Sequence, residues 1–253
     1  MRLLGKVAVI TGAAVGLGRA IAARFAQEGA SVVAVDTNVD EAQALVRELT
    51  EQGRNAMFVE ADVANGDAVQ DLFAAAMARY LHVDVLCNNA AILLYDRDCE
   101  AHELSLETWD FVMNVNLRGS FLCTKYAIPI MLNNGGGSIL YMGSPTGLYG
   151  CAPKLTAYST SKAGIFGLAR VTAVAYAPRN IRVNAIVPGT MDTPMNRSVL
   201  SDPDSRDQLS HAVPLGRLGK PDDIEGLAVF LASDESAYCT GGVYMCDGGL
   251  TAV

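Results

Sequence analysis

No stretch of the 253 residues approaches the ~20 apolar side chains of a membrane span. The opening Met1-Arg2-Leu3-Leu4-Gly5-Lys6 holds no apolar run long enough for a signal-peptide core, so a cytoplasmic protein is expected. The six cysteines (Cys87, Cys99, Cys123, Cys151, Cys239, Cys246) form no Cys-x-x-Cys pair and share no spacing. Most sit among apolar neighbours, as reduced thiols acting as small hydrophobes do. His82, His102 and His211 are far apart, and none belongs to a His-x-x-x-His pair, so no metal site is expected. Positive charge is also short: 19 Lys and Arg stand against 27 Asp and Glu, a net charge of −8. That disfavours nucleic acid or an anionic membrane as the main partner.

Apolar residues make up 51% of the chain and charged ones 18%, which supports a large buried core. No repeat, low-complexity tract or charge block divides it, and this length suits one α/β domain. Short apolar runs at residues 7–10, 31–35, 57–59, 83–87, 138–142, 181–187 and 243–246 lack strict alternation, as strands covered on both faces do. Between them, residues 16–28, 39–52, 66–80, 106–132, 157–176 and 222–232 carry helical spacing. Ser105 and the Lys220-Pro221-Asp222-Asp223 stretch read as helix starts. Alternation of strand and helix predicts a doubly wound parallel sheet of about seven strands, with helices on both faces. Residues 189–218 show no clear period, and a loop that long predicts a substrate lid.

The first strand runs into Thr11-Gly12-Ala13-Ala14-Val15-Gly16-Leu17-Gly18 and then directly into a helix. Glycines there let backbone approach a pyrophosphate, and the helix start offers open N–H groups. A generic strand-to-helix turn is the other reading. Asp36 closes the second strand, where a carboxylate can accept both hydroxyls of an adenosine ribose and repel a 2′-phosphate. Val15 and Thr37 supply no neighbouring cation, so NAD is expected over NADP. The alternative for Asp36 is a helix cap.

Tyr158 and Lys162 lie four apart on one predicted helix face. A cation ~5 Å from the phenol, at an effective dielectric of ~20, favours the phenolate by roughly 3 kcal/mol, near two pKa units. That suits a proton shuttle for an alcohol or ketone. Chance placement on a surface helix is the competing reading. Ser144 ends a predicted strand on the side where such sheets bind ligands.

Together these motifs resemble the short-chain dehydrogenase/reductase family, from about Lys6 to Gly249 and in the family's order. The resemblance implies a Rossmann-type single domain and a catalytic tetrad of Asn116, Ser144, Tyr158 and Lys162. It implies that Gly12, Gly16, Leu17, Gly18 and Asp36 bind the cofactor, with Asp62-Val63 beside its adenine and Asn89 nearby. Tyr158 and Lys162 would also contact it, and Pro188, Gly189, Met191 and Thr193 would hold its carboxamide end. Asn116 would hold a relay water. Oxidation of a secondary alcohol, or reduction of its ketone, follows. The alternatives are an NADP-linked 3-ketoacyl reductase, a non-catalytic nucleotide-binding relative, and a lyase of the halohydrin-dehalogenase kind.

Three departures stand out. Ala91 replaces a usual glycine, Gly143 stands where a second serine is common, and the Ser144–Tyr158 spacing is fourteen instead of thirteen. Thr146 is a minor rival to Ser144. The expected pocket walls (residues 92–95, 145–153 and 194–214) hold no Arg or Lys cluster to clamp an anion, so a neutral, moderately apolar or cyclic alcohol is expected, with a sugar as the other candidate. Tyr95 and His211 are candidates for substrate contact, although an ordinary lid or interface role suits His211 better. The family is often tetrameric. The surplus apolar residues Phe121, Leu122, Tyr126, Ile165, Phe166 and Leu168 on two long helices fit a homotetramer.

Overall fold

The structure is a computed structural model that describes residues 1–252. Seven strands form one parallel sheet: β1 (Val7–Thr11), β2 (Ser31–Asp36), β3 (Ala56–Glu60), β4 (Val85–Asn88), β5 (Gly137–Met142), β6 (Ile181–Pro188) and β7 (Val243–Cys246). Their order is β3-β2-β1-β4-β5-β6-β7, so the winding reverses between β1 and β4. Such a reversal opens a crevice at the carboxyl ends of the strands, where ligands bind.

Both faces of the sheet are buried, which accounts for strands without a polar alternation. Val7, Val9, Val33, Val35, Ile139 and Tyr141 pack on one face against α3 (Gly66–Tyr80), α5 (Gly119–Asn133) and α6 (Thr156–Tyr176). Ala8, Ile10, Val32, Ala34, Leu140 and Met142 pack on the other, against α1 (Gly16–Gln27), α2 (Val39–Glu51) and α9 (Asp222–Ala232). The period of two is present, but each half meets helices.

The expected helix starts hold. Ser105 Oγ accepts the Thr108 amide at the head of α4 (Leu106–Met113). Asp223 accepts the Lys220 amide at 2.7 Å and pairs with Arg217, whose hydrogen bonds hold the Asp223 carboxyl down at about 2.

Two expectations need correction. The helix expected over residues 106–132 is interrupted: α4 and α5 are separated by a π-helical segment, Asn114–Arg118, in which the Gly119 amide reaches back to the Asn114 carbonyl. One extra residue per turn swings Asn116 inward, where it is fully buried. Residues 189–218 are not an unstructured loop either. They contain α7 (Arg197–Leu200) and α8 (Pro203–His211), helices too short and polar to show an apolar stripe, and a bridge pairs Met191 with Gly219.

The apolar surplus on α5 and α6 also divides differently. Leu122, Ile165 and Phe166 are buried in the core of the single chain. Phe121 stays exposed, joined by Phe111, Val171 and Val174. No helix among the described residues is long and apolar enough to cross a membrane.

Candidate active site

The turn after β1 is built by close approach. A Cβ on Gly18 would lie 2.0 Å from the Gly12 carbonyl oxygen, so only glycine lets α1 start against the turn. Gly12 itself has φ +66°. The Thr11 hydroxyl accepts the Asn89 and Ala90 amides, each at 3.1 Å, and Asn89 Nδ2 donates to the Thr11 and Gly12 carbonyls, both at 3.0 Å. Asn89 therefore braces the turn with its side-chain nitrogen. No side chain caps α1 and no acid lies in its first turn, which leaves its positive end open to an anion.

Asp36, at the end of β2, accepts the Ala14 amide on one oxygen and the Asn38 amide on the other, each at 2.9 Å. A carboxylate has about four acceptor positions, so capacity remains on both oxygens. The helix-cap reading of Asp36 fails, because the Asn38 side chain accepts the Glu41 amide at the head of α2. Asp62 folds back on the Ala64 amide at 2.9 Å, beside the buried Val63.

These residues line one end of a cavity of about 920 Å³. Gly12, Gly16, Leu17, Asp36, Asp62, Val63 and Asn89 face it, as do Pro188, Gly189, Met191 and Thr193 after β6. Ser144, Tyr158 and Lys162 line the same cavity. Gly18 and Asn116 stand behind its wall. An open helix start, a glycine cradle and a carboxylate at the end of β2 suit a dinucleotide in chemistry and in spacing.

Tyr158 and Lys162 sit in the first two turns of α6 and are 8% and 4% exposed. The Lys162 ammonium lies 5.6 Å from the centre of the Tyr158 ring and donates to the Met142 carbonyl at 2.9 Å. Burial draws the ammonium down to about 8 and drives the phenol up to about 12. The Ser144 hydroxyl pulls the phenol the other way, and the Tyr95 phenol reinforces the rise. The expected drop of the phenol below its ordinary range is thus outweighed by desolvation, which disfavours any charged form.

Ser144 follows β5 with its hydroxyl 3.0 Å from that of Thr146 and accepts the Thr146 amide at 3.3 Å. Thr146 is a partner of Ser144 as much as a rival. Gly143 has a packing reason: a Cβ there would come 2.7 Å from the Phe166 ring. Asn116 accepts the Ile92 amide at 2.8 Å and donates to the Ile92 carbonyl and the Ser161 hydroxyl. Both N–H groups of its side chain are engaged, and Oδ1 accepts one of its two possible bonds.

Two features escape a reading of the sequence. Leu155 offers α6 no side-chain cap; instead the Asp98 carboxylate accepts the Ala157 amide at 3.0 Å and the Tyr158 amide at 2.9 Å. Across the cavity mouth the Tyr95 hydroxyl donates to Asn196 at 2.9 Å. His211 does not line the cavity; it is exposed on α8, with Nδ1 2.9 Å from the Asp207 carbonyl.

Residues 12–251 match the family model described as Enoyl-(Acyl carrier protein) reductase. The chain is 41% identical over 250 residues to the 3-oxoacyl-[acyl-carrier-protein] reductase FabG of Thermotoga maritima, covering 99% of each. It is 39% identical to 3beta-hydroxysteroid dehydrogenase 1 of Eggerthella lenta, over 98% of this chain and 95% of that one. A crystal structure from Beutenbergia cavernae, of a protein assigned as an NAD(P)-dependent gluconate 5-dehydrogenase with NADP bound at low occupancy, superposes with a TM-score of 0.93. It is 35% identical and covers 99% of this chain and 98% of that chain. The chain belongs to the short-chain dehydrogenase/reductase family. Within that family it is an oxidoreductase with a small-molecule substrate.

Proposed function

We propose that the protein transfers hydride between NAD(H) and a neutral secondary alcohol or its ketone. The observation that carries this reading is the shared cavity, with Ser144, Tyr158 and Lys162 at one part of its wall and Asp36 at another. The α1 start with Gly12, Gly16 and Leu17 would hold the pyrophosphate. Asp36 would hold the ribose, Asp62 and Val63 the adenine side, and Pro188, Gly189, Met191 and Thr193 the carboxamide end. A nicotinamide dinucleotide bound there supplies the hydride acceptor or donor.

The chain's own residues handle the oxygen and its proton. Ser144 donates a hydrogen bond to the substrate oxygen, and ionised Tyr158 accepts the alcohol proton. Lys162 supplies the positive charge that offsets the buried phenolate. Asn116 would hold a relay water in this reading, its main-chain carbonyl steadied by the Ser120 hydroxyl at 2.8 Å.

Asp36 supports NAD, since a 2′-phosphate would meet its carboxylate with no cation from Val15 or Thr37. Two likenesses favour a second reading, an NADP-linked 3-ketoacyl reductase: the Beutenbergia structure holds NADP, and the Thermotoga relative is a 3-oxoacyl-[acyl-carrier-protein] reductase. The ratio of kcat/KM for the two cofactors decides between them, and a preference for NADP overturns the NAD assignment. Apart from Lys162 the cavity presents no Lys or Arg, and Leu93, Leu155, Met195, Val199 and Leu200 make its substrate end apolar. A cyclic or extended neutral alcohol suits it. Residues 189–218 form the lid in this reading, held at rest by the Tyr95–Asn196 bond.

A cytoplasmic homotetramer accompanies the proposal. All six cysteines are free, and α4 to α6 expose Phe111, Phe121, Val171 and Val174. A monomer in sedimentation would refute the assembly.

Tyr158→Phe tests the chemistry. Loss of NAD-linked oxidation across cyclic alcohols, sugars, steroids and hydroxyacids, with NADH fluorescence still shifted on binding, is expected. Undiminished turnover would overturn the assignment.

A further inference from the structure

Between Asn89 and Cys99 the chain touches, in order, three parts of the site. Asn89 braces the turn at Thr11 and Gly12. Ile92 is clasped through both its amide and its carbonyl by Asn116. Asp98 then accepts the amides of Ala157 and Tyr158, while the Thr156 hydroxyl donates to the Cys99 carbonyl at 2.6 Å. One strap thus ties the glycine turn, the π-helical segment and the head of α6.

The head of α6 has no cap of its own, although the Ser161 hydroxyl donates to the Tyr158 carbonyl at 2.7 Å one turn in. Its N-cap residue, Leu155, contributes no side-chain hydrogen bond, and no acid lies in its first turn. Tyr158 belongs to neither large core. Together with Ala157 and Val112 it forms a small separate cluster, packed by Ile92, Leu93, Leu94, Leu104, Trp109 and Leu155. Three of those are strap residues.

Asp98 is 4% exposed and pairs with no Lys or Arg among the described residues; the adjacent Arg97 is engaged with Glu107 instead. A buried carboxylate without a cation is costly unless hydrogen bonds satisfy it. Here both oxygens accept amides at the positive end of a 21-residue helix.

We infer that Asp98 is a positioning residue for the reaction: by holding the Tyr158 amide from 60 residues away it sets where the phenolic oxygen sits relative to Ser144 and Lys162. The inference rests on the function proposed for Tyr158. Asn in place of Asp98 keeps one acceptor but turns an NH2 toward the second amide, so one of the two bonds is lost. Thr156→Val removes the neighbouring bond and leaves Asp98 intact.

The test measures kcat and KM per NADH-binding site for the parent, Asp98→Asn, Asp98→Ala, Thr156→Val and Tyr158→Phe. The substrate is cyclohexanol, or whichever panel alcohol the parent oxidises fastest. NADH sites are counted by fluorescence titration. Expected are an at least tenfold fall in kcat per site for both Asp98 variants, KM within threefold and the NADH dissociation constant within threefold. Thr156→Val should show a smaller fall of the same kind. A purely structural role would lower the melting temperature and the number of NADH sites and leave kcat per site unchanged. If Asp98→Ala fails to fold, Asp98→Asn and Thr156→Val carry the decision, and parent-like kcat in both overturns the inference. An active Tyr158→Phe instead removes the proposed function itself; an inactive Tyr158→Phe beside a fully active Asp98→Asn removes only the role of Asp98.

Discussion

Asp36 and Ala14 are joined by a hydrogen bond of 2.9 Å, carboxylate to amide, across the start of the glycine turn. In the proposed function the residue that would choose the cofactor therefore also holds the loop that would cradle it. Removing the carboxylate takes away two kinds of contact at once.

For Asp36→Ala, kcat/KM with NAD should fall by roughly 10–100-fold, the range of one lost charge-assisted hydrogen bond. The NADP/NAD ratio should rise at the same time, because the charge opposing a 2′-phosphate is gone. Steady-state rates with both cofactors check this, and an unchanged ratio would separate Asp36 from cofactor choice.

Ser144→Ala should lower kcat/KM by about 10²–10³, the usual effect of removing one donor to a developing oxyanion. The Ser144 hydroxyl also lowers the Tyr158 phenol, which burial holds near 12. Without it the phenol rises further, so the pH at which oxidation turns on should move upward. A downward shift in the pH–rate profile would contradict this role.

Lys162 ties stability to pH. Its ammonium sits at about 8, against 10.5 when unburied, so between those values the unfolded chain binds more protons than the folded one. Stability from this group then rises with pH across the window, and the penalty is largest below pH 8, on the order of 3 kcal/mol. Lys162→Met should gain on the parent at pH 7, and the gap should narrow by pH 10. The lost bond to the Met142 carbonyl shifts both values equally. Urea melts at the two pH values measure the change, and a constant gap would refute it.

Gly143→Ser should destabilise the protein, because its Cβ would enter within 2.7 Å of the Phe166 ring. Overpacking of this kind costs ~1–3 kcal/mol, which corresponds to a fall in Tm of roughly 3–10 °C. Phe166→Leu in the same chain should recover part of it. An unchanged Tm would show that the ring moves aside freely.

The parts of the site legible in the sequence are those built from neighbours along the chain. Gly12 to Gly18 and the Tyr158–Lys162 pair each carry their geometry in their spacing, and each lies where that spacing puts it. The buried valines of β1 and β2 were equally readable, because helices on both faces leave no polar alternation to find. Asp98 was not readable, since its partners lie 59 and 60 residues on and nothing local distinguishes it from a surface acid. Asn116 was legible by type but not by posture, because a π-helical turn leaves the apolar pattern of residues 106–132 almost unchanged. The net direction of the Tyr158 shift is not readable for a related reason. Spacing supplies the distance to a cation, whereas desolvation depends on everything packed around the ring.

The reversal of winding between β1 and β4 divides labour along the gene. The codons for the first three strands and the glycine turn build one wall of the crevice; those from Ser144 onward build the wall opposite. Change in the later half, such as a longer loop before Tyr158, can therefore leave the earlier half intact. Grafting residues 194–218 from a homologue should exchange the preferred alcohol while the preferred nucleotide stays as it was.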